Sequence, residues 1–531
     1  MEEKEKISSK KMSRRDFLKH SGKVAGGAIL ASSMLRAGTN LFASGKEEGP
    51  AVEKKAVGEK MPVPLNQNKF SGIKLNYVQD SNWINTIEYV WPHISKESGV
   101  EIGNREMFKI GEGHAKIVPQ LLAAKPRWDF MVYSPMYLGD FVNMGALEPL
   151  DGYLSQYQGT EEYWDQVMPA YKNFYNFWGD KTYGVMVDGD IHLLHYRPSY
   201  FNDPEMKRKF ERRFKMELKP PKTWVDYLKV AQFLTEETPD GIYGSQMVVT
   251  PPAFAWGFFF DLAVANGAKY FDESMNPLIA SDEAEEALEM WKEVIRWSPP
   301  GGESMGIDET IKTWQNGSTL MALWWIDLSE FTAQQVPDMA EDQAATLVPG
   351  WEKGGKVVHR SLLLYDRICS IPAKIPQERK DAAFYFIYRL SHQDYSVHYV
   401  ADEYSGSDPY MKIHYETPEE YISPNPLRGT SELWPTNSGI FKSVETARNH
   451  LQAGLDNVKV GYPQFNWTGA VEYAEALGRN VAKAVTRELT SRQALEKTAE
   501  EWESIVQKYG YDNQKNQYAV FVDTAKKMGY W

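Results

Sequence analysis

The segment YGVMVDGDIHLLHY, residues 183–196, places two acidic residues between two short apolar stretches. The second stretch, IHLLHY, is typical of a strand, so His192 and His195 are predicted to point to opposite faces. We therefore do not expect these histidines to share a metal ion. Asp188 and Asp190 flank one glycine, and such carboxylates can bind a divalent ion, act as acid and base, or accept hydrogen bonds from sugar hydroxyls. The motif alone leaves these alternatives open.

Strand and helix signals alternate around this segment. Residues 73–78 (IKLNYV) alternate in polarity like a strand, and residues 79–82 (QDSN) offer caps for a helix beginning near Trp83. Residues 129–133 (DFMVY) predict a short buried strand, and another helix is expected after Ser134-Pro135. This alternation predicts an α/β fold with parallel sheets and helices on their faces.

Two later segments predict helices with packing roles. Residues 281–297 begin with a serine cap followed by acidic residues, and residues 491–509 are predicted to begin in the same way. Both segments carry apolar residues at helical spacing, which predicts one buried face each. The apolar positions are Ala287, Leu288, Trp291, Val294 and Ile295 in the first segment, and Leu495, Trp502, Ile505 and Val506 in the second.

The first 43 residues are interpreted as an export signal. Residues 13–19 (SRRDFLK) resemble the twin-arginine signal at every position, and an apolar stretch too short to span a membrane follows at residues 24–35. An amphipathic first helix is the alternative. The possible cleavage site near Ala43 lacks a small residue at its first position, so an uncleaved signal stays open. Residues 44–69 are predicted to form a flexible linker, with order beginning near Phe70.

Composition limits the partners of the protein. The full chain carries 59 basic and 72 acidic side chains, and removing residues 1–43 leaves a net charge of −18. An acidic body of this kind repels nucleic acid and anionic lipid, so neither is expected as a partner. The chain also contains 17 Trp, 30 Tyr and 23 Phe, which predicts large aromatic cores and leaves some rings for a binding site.

Motifs for several kinds of catalysis are absent from the sequence. With one cysteine, Cys369, the chain cannot form an intramolecular disulfide, a cysteine-ligated iron–sulfur cluster or a c-type haem attachment. We predict Cys369 to be a buried small residue, and we expect no cofactor and no metal. The sequence also lacks a nucleophile elbow, a phosphate-binding loop and a dinucleotide fingerprint. A glycosidase stays open, because its two carboxylates need no local motif.

Several segments together resemble the extracellular solute-binding proteins of carbohydrate ABC importers. They are residues 183–210, LKPPKTWVDYLKVAQFLTEE at 218–237, NGAKYFD at 266–272, WQNGSTLMALW at 314–324, and the helix at 491–508. The resemblance runs from about Phe70 to the C-terminus. It implies a two-lobed periplasmic-binding-protein fold with a central ligand cleft that closes about a hinge.

The resemblance also implies lobe boundaries and crossing segments. Crossings are expected near residues 185–190 and 365–370, with a third later. The N-terminal lobe is predicted at residues 70–187 plus about 368–425, and the C-terminal lobe at 188–367 plus about 426–531. One departure stands out, because Tyr365-Asp366-Arg367 replaces a glycine pair found in many members of this family. A charged, bulky group in place of backbone donors predicts a smaller or differently charged ligand.

Candidate ligand-binding residues lie on loops that follow strands or on the crossing segments. Aromatic rings suit the C–H faces of sugars, while carboxylates and guanidinium groups suit their hydroxyl edges. The segment Trp324-Trp325-Ile326-Asp327 resembles the family's position for a stacking aromatic residue, so one tryptophan should face the core and its neighbour the cleft; we favour Trp325 together with Asp327. Arg367 is expected either in the cleft or in a salt bridge between lobes. The full set is Trp83, Tyr137, Asp188, Asp190, Trp256, Trp325, Asp327 and Arg367.

The leading hypothesis is a periplasmic binding protein, not an enzyme. It would capture a sugar, oligosaccharide or polyol such as glycerol and deliver it to an ABC transporter permease. Its other expected partner is the twin-arginine export machinery, and we expect a monomer. Two alternatives stay open: a secreted carbohydrate-active enzyme, and a binding subunit for a sensor kinase.

Overall fold

The computed structural model describes residues 60–65, 67–81, 83 and 85–530. The predicted export signal at residues 1–43, with its twin-arginine motif, lies outside the described residues, as do residues 44–59 of the predicted linker. None of the helices within the described ranges is both long and apolar enough to cross a bilayer.

The chain is already packed before Phe70. The Met61 amide donates a hydrogen bond to the Gln156 carbonyl over 2.7 Å, and Leu65 is buried with its amide donating to the Tyr385 hydroxyl. The expectation that order begins near Phe70 is therefore corrected. The physical reason is that apolar residues such as Leu65, near the end of the predicted linker, are stabilised by burial against the rest of the protein.

Fourteen strands are present in the described chain, most of them short. They are β1 (Lys74–Asp80), β2 (Glu101–Phe108), β3 (Phe130–Tyr133), β4 (Phe177–Trp178), β5 (Lys181–Thr182), β6 (Val185–Asp188), β7 (His192–Tyr196), β8 (Met321–Trp325), β9 (Ala344–Thr346), β10 (Trp351–Lys353), β11 (Lys356–Val358), β12 (Ser361–Leu363), β13 (Arg367–Ser370) and β14 (Gly461–Pro463). The strands predicted at residues 73–78, 129–133 and 191–196 correspond to β1, β3 and β7.

The largest sheet has five strands in the order β2-β1-β3-β13-β6. Strands β1, β2 and β3 pair in parallel, whereas β13 is antiparallel to both β3 and β6. The prediction of parallel sheets is therefore wrong for β7, β8 and β9, which pair antiparallel, and for β13. This strand enters the sheet at the edge where its neighbours end, so Arg367 lies beside the last residue of β6, Asp188.

Helices of eight or more residues surround the sheets. They are α1 (Thr86–Ser98), α2 (Gly113–Leu122), α3 (Pro204–Phe214), α4 (Trp224–Glu237), α5 (Ala255–Ala265), α6 (Asp282–Ile295), α7 (Ile307–Gln315), α8 (Leu328–Gln335), α9 (Gln377–Ser391), α10 (Val444–Lys459), α11 (Ala470–Val485), α12 (Ser491–Tyr509) and α13 (Tyr511–Lys527). Helix α9 packs against β1, β6 and α1, which covers one region of the largest sheet.

The two helices predicted in the second half of the sequence are confirmed. Ser281 caps α6 by accepting a hydrogen bond from the Ala284 amide, and Thr490 caps α12 by accepting one from the Gln493 amide. All nine apolar positions predicted for their packing faces are buried. The first predicted helix starts later than expected, at Thr86, and its N-cap residue Asn85 forms no side-chain capping bond.

A second sheet contains β8, β7 and β9 in that order, and β12 pairs in parallel with β14. The two histidines of β7 contact different helices, as their spacing predicted. His192 Nδ1 lies 2.6 Å from the carboxylate of Asp261 in α5, while the His195 ring lies 6.0 Å from His450 in α10. The two rings therefore lie on opposite faces of β7.

Most of the aromatic residues form the core. Nine tryptophans are less than 2% exposed, and rings from distant segments meet around Tyr270, whose centroid is 4.1 Å from that of Phe465. Cys369 is a free, fully buried thiol in β13, which confirms its predicted role as a small core residue. Burial raises its pKa above the ordinary value of a thiol.

Candidate functional site

Charged side chains from three strands of the largest sheet meet at one edge. Asp80 is the last residue of β1, Asp188 is the last of β6, and Arg367 is the first of β13. Since β13 is antiparallel to β6, its first residue lies where β6 ends, and the register pairs Arg367 directly with Asp188. Strand ends in an α/β sheet are the usual place for a ligand.

Arg367 is the centre of this cluster. Its Nε lies 2.7 Å from Asp80 Oδ2 and its Nη2 lies 3.3 Å from Asp80 Oδ1, which makes a bidentate ion pair. Its Nη1 donates to Asp188 Oδ2 and lies 3.8 Å from Asp190 Oδ2. One guanidinium group thus contacts three carboxylates, and all four side chains are less than 10% exposed.

The glycine between the two aspartates lets another segment approach closely. The Gly189 amide donates to the Asp408 carbonyl over 3.1 Å, and the Tyr171 hydroxyl donates to the Gly189 carbonyl over 2.6 Å. The Asp408 amide in turn donates to Asp188 Oδ1. A Cβ atom at position 189 would lie 2.6 Å from the carbonyl oxygen of Pro409, which is too close for any side chain.

We expect the substitution Gly189→Ala to lower the free energy of unfolding by about 1–3 kcal/mol, because the backbone at Pro409 must move away. Urea-induced unfolding measures this change. Gly152→Ala is the matched control, since no atom lies within 4 Å of its added Cβ and Gly152 is in a helix. Equal stability of Gly189→Ala and the unsubstituted protein would contradict the close approach.

Carboxylates from other parts of the chain complete the cluster. Asp327, just before α8, accepts a hydrogen bond from Trp324 Nε1 over 3.0 Å, and Glu330 in α8 accepts one from the Gly406 amide over 3.1 Å. The candidate Trp325 has a different hydrogen-bond partner. Successive side chains on β8 point to opposite faces, so Trp325 Nε1 donates instead to the Leu364 carbonyl over 2.9 Å.

Burial raises the pKa of six carboxyl groups in this cluster. For Asp327, burial and the negative charge of Asp188 raise the pKa to about 7. For Asp188, burial raises the pKa although the charge of Arg367 opposes the change. Four further carboxyl groups have pKa values raised well above the ordinary range, first by burial and then by neighbouring negative charges: Asp190, Asp366, Asp408 and Glu330.

Two residues next to Arg367 have left-handed backbone conformations. The φ angle is +77° at Tyr365 and +40° at Asp366. An aspartate tolerates this region, but a bulky tyrosine there is an outlier, and each such residue typically costs on the order of 1–3 kcal/mol. These residues stand where many members of the resembling family have a glycine pair, and the backbone here keeps the conformation that glycine favours.

A small pocket opens between this strained segment and the end of β1. It is lined by charged and aromatic side chains, among them Asp80, Asp366, Arg367, Phe108, Tyr137 and Tyr365. Its internal space is about 10 Å³, which is room for about one water molecule, so a sugar or polyol can enter only when the pocket widens. Two candidate residues, Tyr137 and Arg367, therefore line the same pocket.

The tryptophan candidates lie around the cluster rather than in the pocket. Trp83 is fully buried, and its indole donates to the Ser407 hydroxyl, one residue before Asp408. Trp256 is 1% exposed in α5, with its ring 5.1 Å from that of Phe465. Trp325 packs against His192 at 4.7 Å and Tyr365 at 6.2 Å between ring centroids. The structure thus brings together the charged candidates and Tyr137.

Sequence reasoning missed several members of the cluster. Asp80 was interpreted as a helix-capping residue, yet it binds Arg367; the rule that site residues follow strands could have found it, because it ends β1. Asp408 and Glu330 were not among the predicted site residues. Among the residues that the structure describes, no group of three or more His, Cys, Asp or Glu side chains is placed to hold a metal ion.

Comparison with known families gives one match. The profile of a family of bacterial extracellular solute-binding proteins matches residues 94–407, which is more than half of the chain. No curated protein sequence matches the chain.

Solved structures share the fold along most of the chain. The maltose-bound MalE3 of T. maritima is 17% identical, with a TM-score of 0.64, over 81% of this chain and 99% of that one. An ABC transporter solute-binding protein of Thermotoga lettingae TMO bound with α-D-tagatose is 18% identical, with a TM-score of 0.64, over 82% and 100%. One from Agrobacterium radiobacter K84 in complex with ribitol is 15% identical, with a TM-score of 0.64, over 82% and 99%. The present chain therefore has the two-lobed periplasmic-binding-protein fold with a mixed α/β architecture.

Proposed function

This chain belongs to the family of bacterial extracellular solute-binding proteins, and on that premise we propose that it captures a sugar, oligosaccharide or polyol and delivers it to an ABC transporter permease. One observation carries the proposal: carboxylates and aromatic rings from distant segments converge on a pocket beside Arg367. Carboxylates accept hydrogen bonds from hydroxyl groups, and the rings of Tyr137 and Tyr365 suit the C–H faces of a sugar.

The cellular setting belongs to the same proposal. The SRRDFLK motif at residues 13–19 supports export by the twin-arginine machinery, and such export places the protein in the periplasm, either free or held by an uncleaved signal. We expect it to act as a monomer that encounters the permease in its ligand-bound form. Binding by closure about the crossing segments needs no covalent chemistry.

Thermal unfolding against a panel of sugars and polyols, both neutral and amine-bearing, tests this function. A ligand at about 100 times its Kd stabilises the folded state by about 2.7 kcal/mol, which should raise Tm by a few degrees in a protein of this size. The panel includes glycerol, ribitol, mannitol, tagatose and maltose, together with the amines glucamine and glucosamine. We expect at least one member to raise Tm and to remain chemically unchanged.

The variant Asp188→Asn should abolish that rise, because Asp188 links the cluster to the segment at Asp408. Asp240→Asn, on an exposed turn, removes one carboxylate outside the cluster and should leave the rise unchanged. Consumption of a glycoside from the panel would favour a carbohydrate-active enzyme instead. A panel without any Tm rise would contradict the proposal.

A further inference from the structure

Negative groups exceed positive groups around the pocket. Arg367 is already engaged by Asp80 and Asp188 through direct contacts. Its neighbour Asp366 lines the pocket and is fully buried, yet neither of its carboxylate oxygens has a hydrogen-bond partner among the residues that the structure describes. A buried carboxylate without a partner is costly, and a ligand group that donates to it would remove this cost.

The backbone holds Asp366 in this position at a further cost. Its φ angle lies in the left-handed region, and its own amide donates to Asp190 Oδ2 over 3.0 Å, which fixes the main chain. Unfavourable conformations of this kind persist where function requires them. The hydrogen bond to Asp190 therefore fixes the backbone of Asp366, and this backbone holds the Asp366 side chain at the pocket.

We propose that the ligand carries a protonated amine on a polyhydroxylated frame, and that Asp366 binds this ammonium group. This inference rests on the proposed function, because it specifies the class of sugar or polyol that the pocket takes. The substrate class is thus an amino sugar or an amino polyol rather than a neutral one.

The other groups at the pocket suit such a ligand. The rings of Tyr137 and Tyr365 line the pocket, and the electron-rich face of an aromatic ring attracts an ammonium group. Asp80 lines the pocket as well and can accept a hydroxyl donor beside its pair with Arg367. An organic ammonium fits better than a metal ion, since the described carboxylates do not form a metal-binding group.

Burial and surrounding negative charge also raise the pKa of Asp366 well above the ordinary value. A cationic ligand compensates that charge, so the carboxylate can ionise when the ligand enters. A neutral sugar offers hydroxyl groups but no positive charge, so it leaves the Asp366 carboxyl group protonated. The charge balance of the cluster therefore favours the cation.

Calorimetric titration of the full-length protein with matched pairs of probes tests the inference. The pairs are sorbitol with glucamine, glucose with glucosamine, and cellobiose with the chitosan disaccharide, which differ by replacement of hydroxyl with amine. In at least one pair we expect the amine to bind about tenfold or more tightly than its neutral partner. Putrescine and calcium chloride serve as cations without a polyhydroxylated frame.

Asp366→Asn separates recognition from folding. Asparagine also tolerates the left-handed region, so the variant should fold, and unfolding without ligand should show unchanged or higher stability. We expect it to weaken binding of the amine about tenfold and to change binding of the neutral partner by less than about twofold. Asp240→Asn, on an exposed turn, is the control with the same loss of charge and should change neither.

The outcomes distinguish the two proposals. If a neutral partner binds as tightly as its amine, the inference is overturned while the proposed function stands. If Asp366→Asn weakens binding of the amine and of its neutral partner equally, Asp366 has a structural role and the inference is also overturned. If only putrescine or calcium binds, or if no probe binds, both the proposed function and the inference fail.

Discussion

Replacing Arg367 with methionine is expected to lower the free energy of unfolding at pH 7 by about 3–5 kcal/mol. Removing one partner of a buried ion pair leaves the other charges uncompensated, and the cost is of this size. Here the loss is shared by Asp80 and Asp188, which together surround the guanidinium in a nearly water-free site. Urea unfolding at pH 7 measures the change.

Two further variants make this experiment specific. Arg367→Lys keeps the positive charge and should recover part of the stability, but not all, because lysine cannot form the bidentate pair with Asp80. Arg296→Met removes an exposed ion pair with Glu293 on α6 and should change stability by less than about 1 kcal/mol. A loss at Arg367 no larger than the loss at Arg296 would mean that the cluster is solvated.

The stability of the ligand-free protein is expected to fall as the pH rises from 6.5 to 8.5. Asp327 has a pKa of about 7 in the folded state, above its unfolded value, so the folded protein keeps a proton that the unfolded chain has lost. Its contribution is complete below the unfolded pKa and is lost as the pH passes through about 7. Asp188, Glu330 and Asp408 face Asp327 with further negative charge, whereas Arg367 opposes them.

The other carboxyl groups with raised pKa values also make the folded protein less stable as the pH rises. Each carboxyl that is protonated only in the folded state contributes a slope of about 1.4 kcal/mol per pH unit. Buried histidines have the opposite effect and make the folded protein more stable as the pH rises. Burial lowers the pKa of His195 and His414 to about 3 and that of His450 to about 4. Their effect is confined to pH values below the unfolded histidine pKa of about 6.5, so the chosen window avoids it.

Comparison with Asp327→Asn isolates one group. The histidine contributions cancel in the difference between the two proteins, so the stability of the unsubstituted protein relative to the variant should fall by about 2 kcal/mol between pH 5.5 and 8. The measurement is a series of urea unfolding curves in matched buffers. A difference that does not vary with pH would show that Asp327 ionises as it does in water.

Local features were predictable because their causes are local. The Ser281 cap and the apolar spacing of α6 and α12 are properties of consecutive residues, and both helices appear where the sequence indicated, although the cap of α12 is Thr490. The strands β1 and β3 followed from alternation and from a short apolar run. The start of the first helix was predicted too early, because helix boundaries depend on weak capping signals. Asp80, one of the expected capping residues, forms an ion pair with Arg367 instead.

The sequence by itself determined the α/β class, the family resemblance, the acidic character and most of the charged candidates, because these depend on composition, periodicity and motif order. Only the tertiary structure decided which carboxylates share Arg367, since Asp80 and Arg367 lie 287 positions apart and Asp188 and Asp408 lie 220 apart. It also decided that Trp324, not Trp325, contacts Asp327. Contacts between distant segments arise from the packing of whole elements, and no local pattern encodes which buried charges will meet.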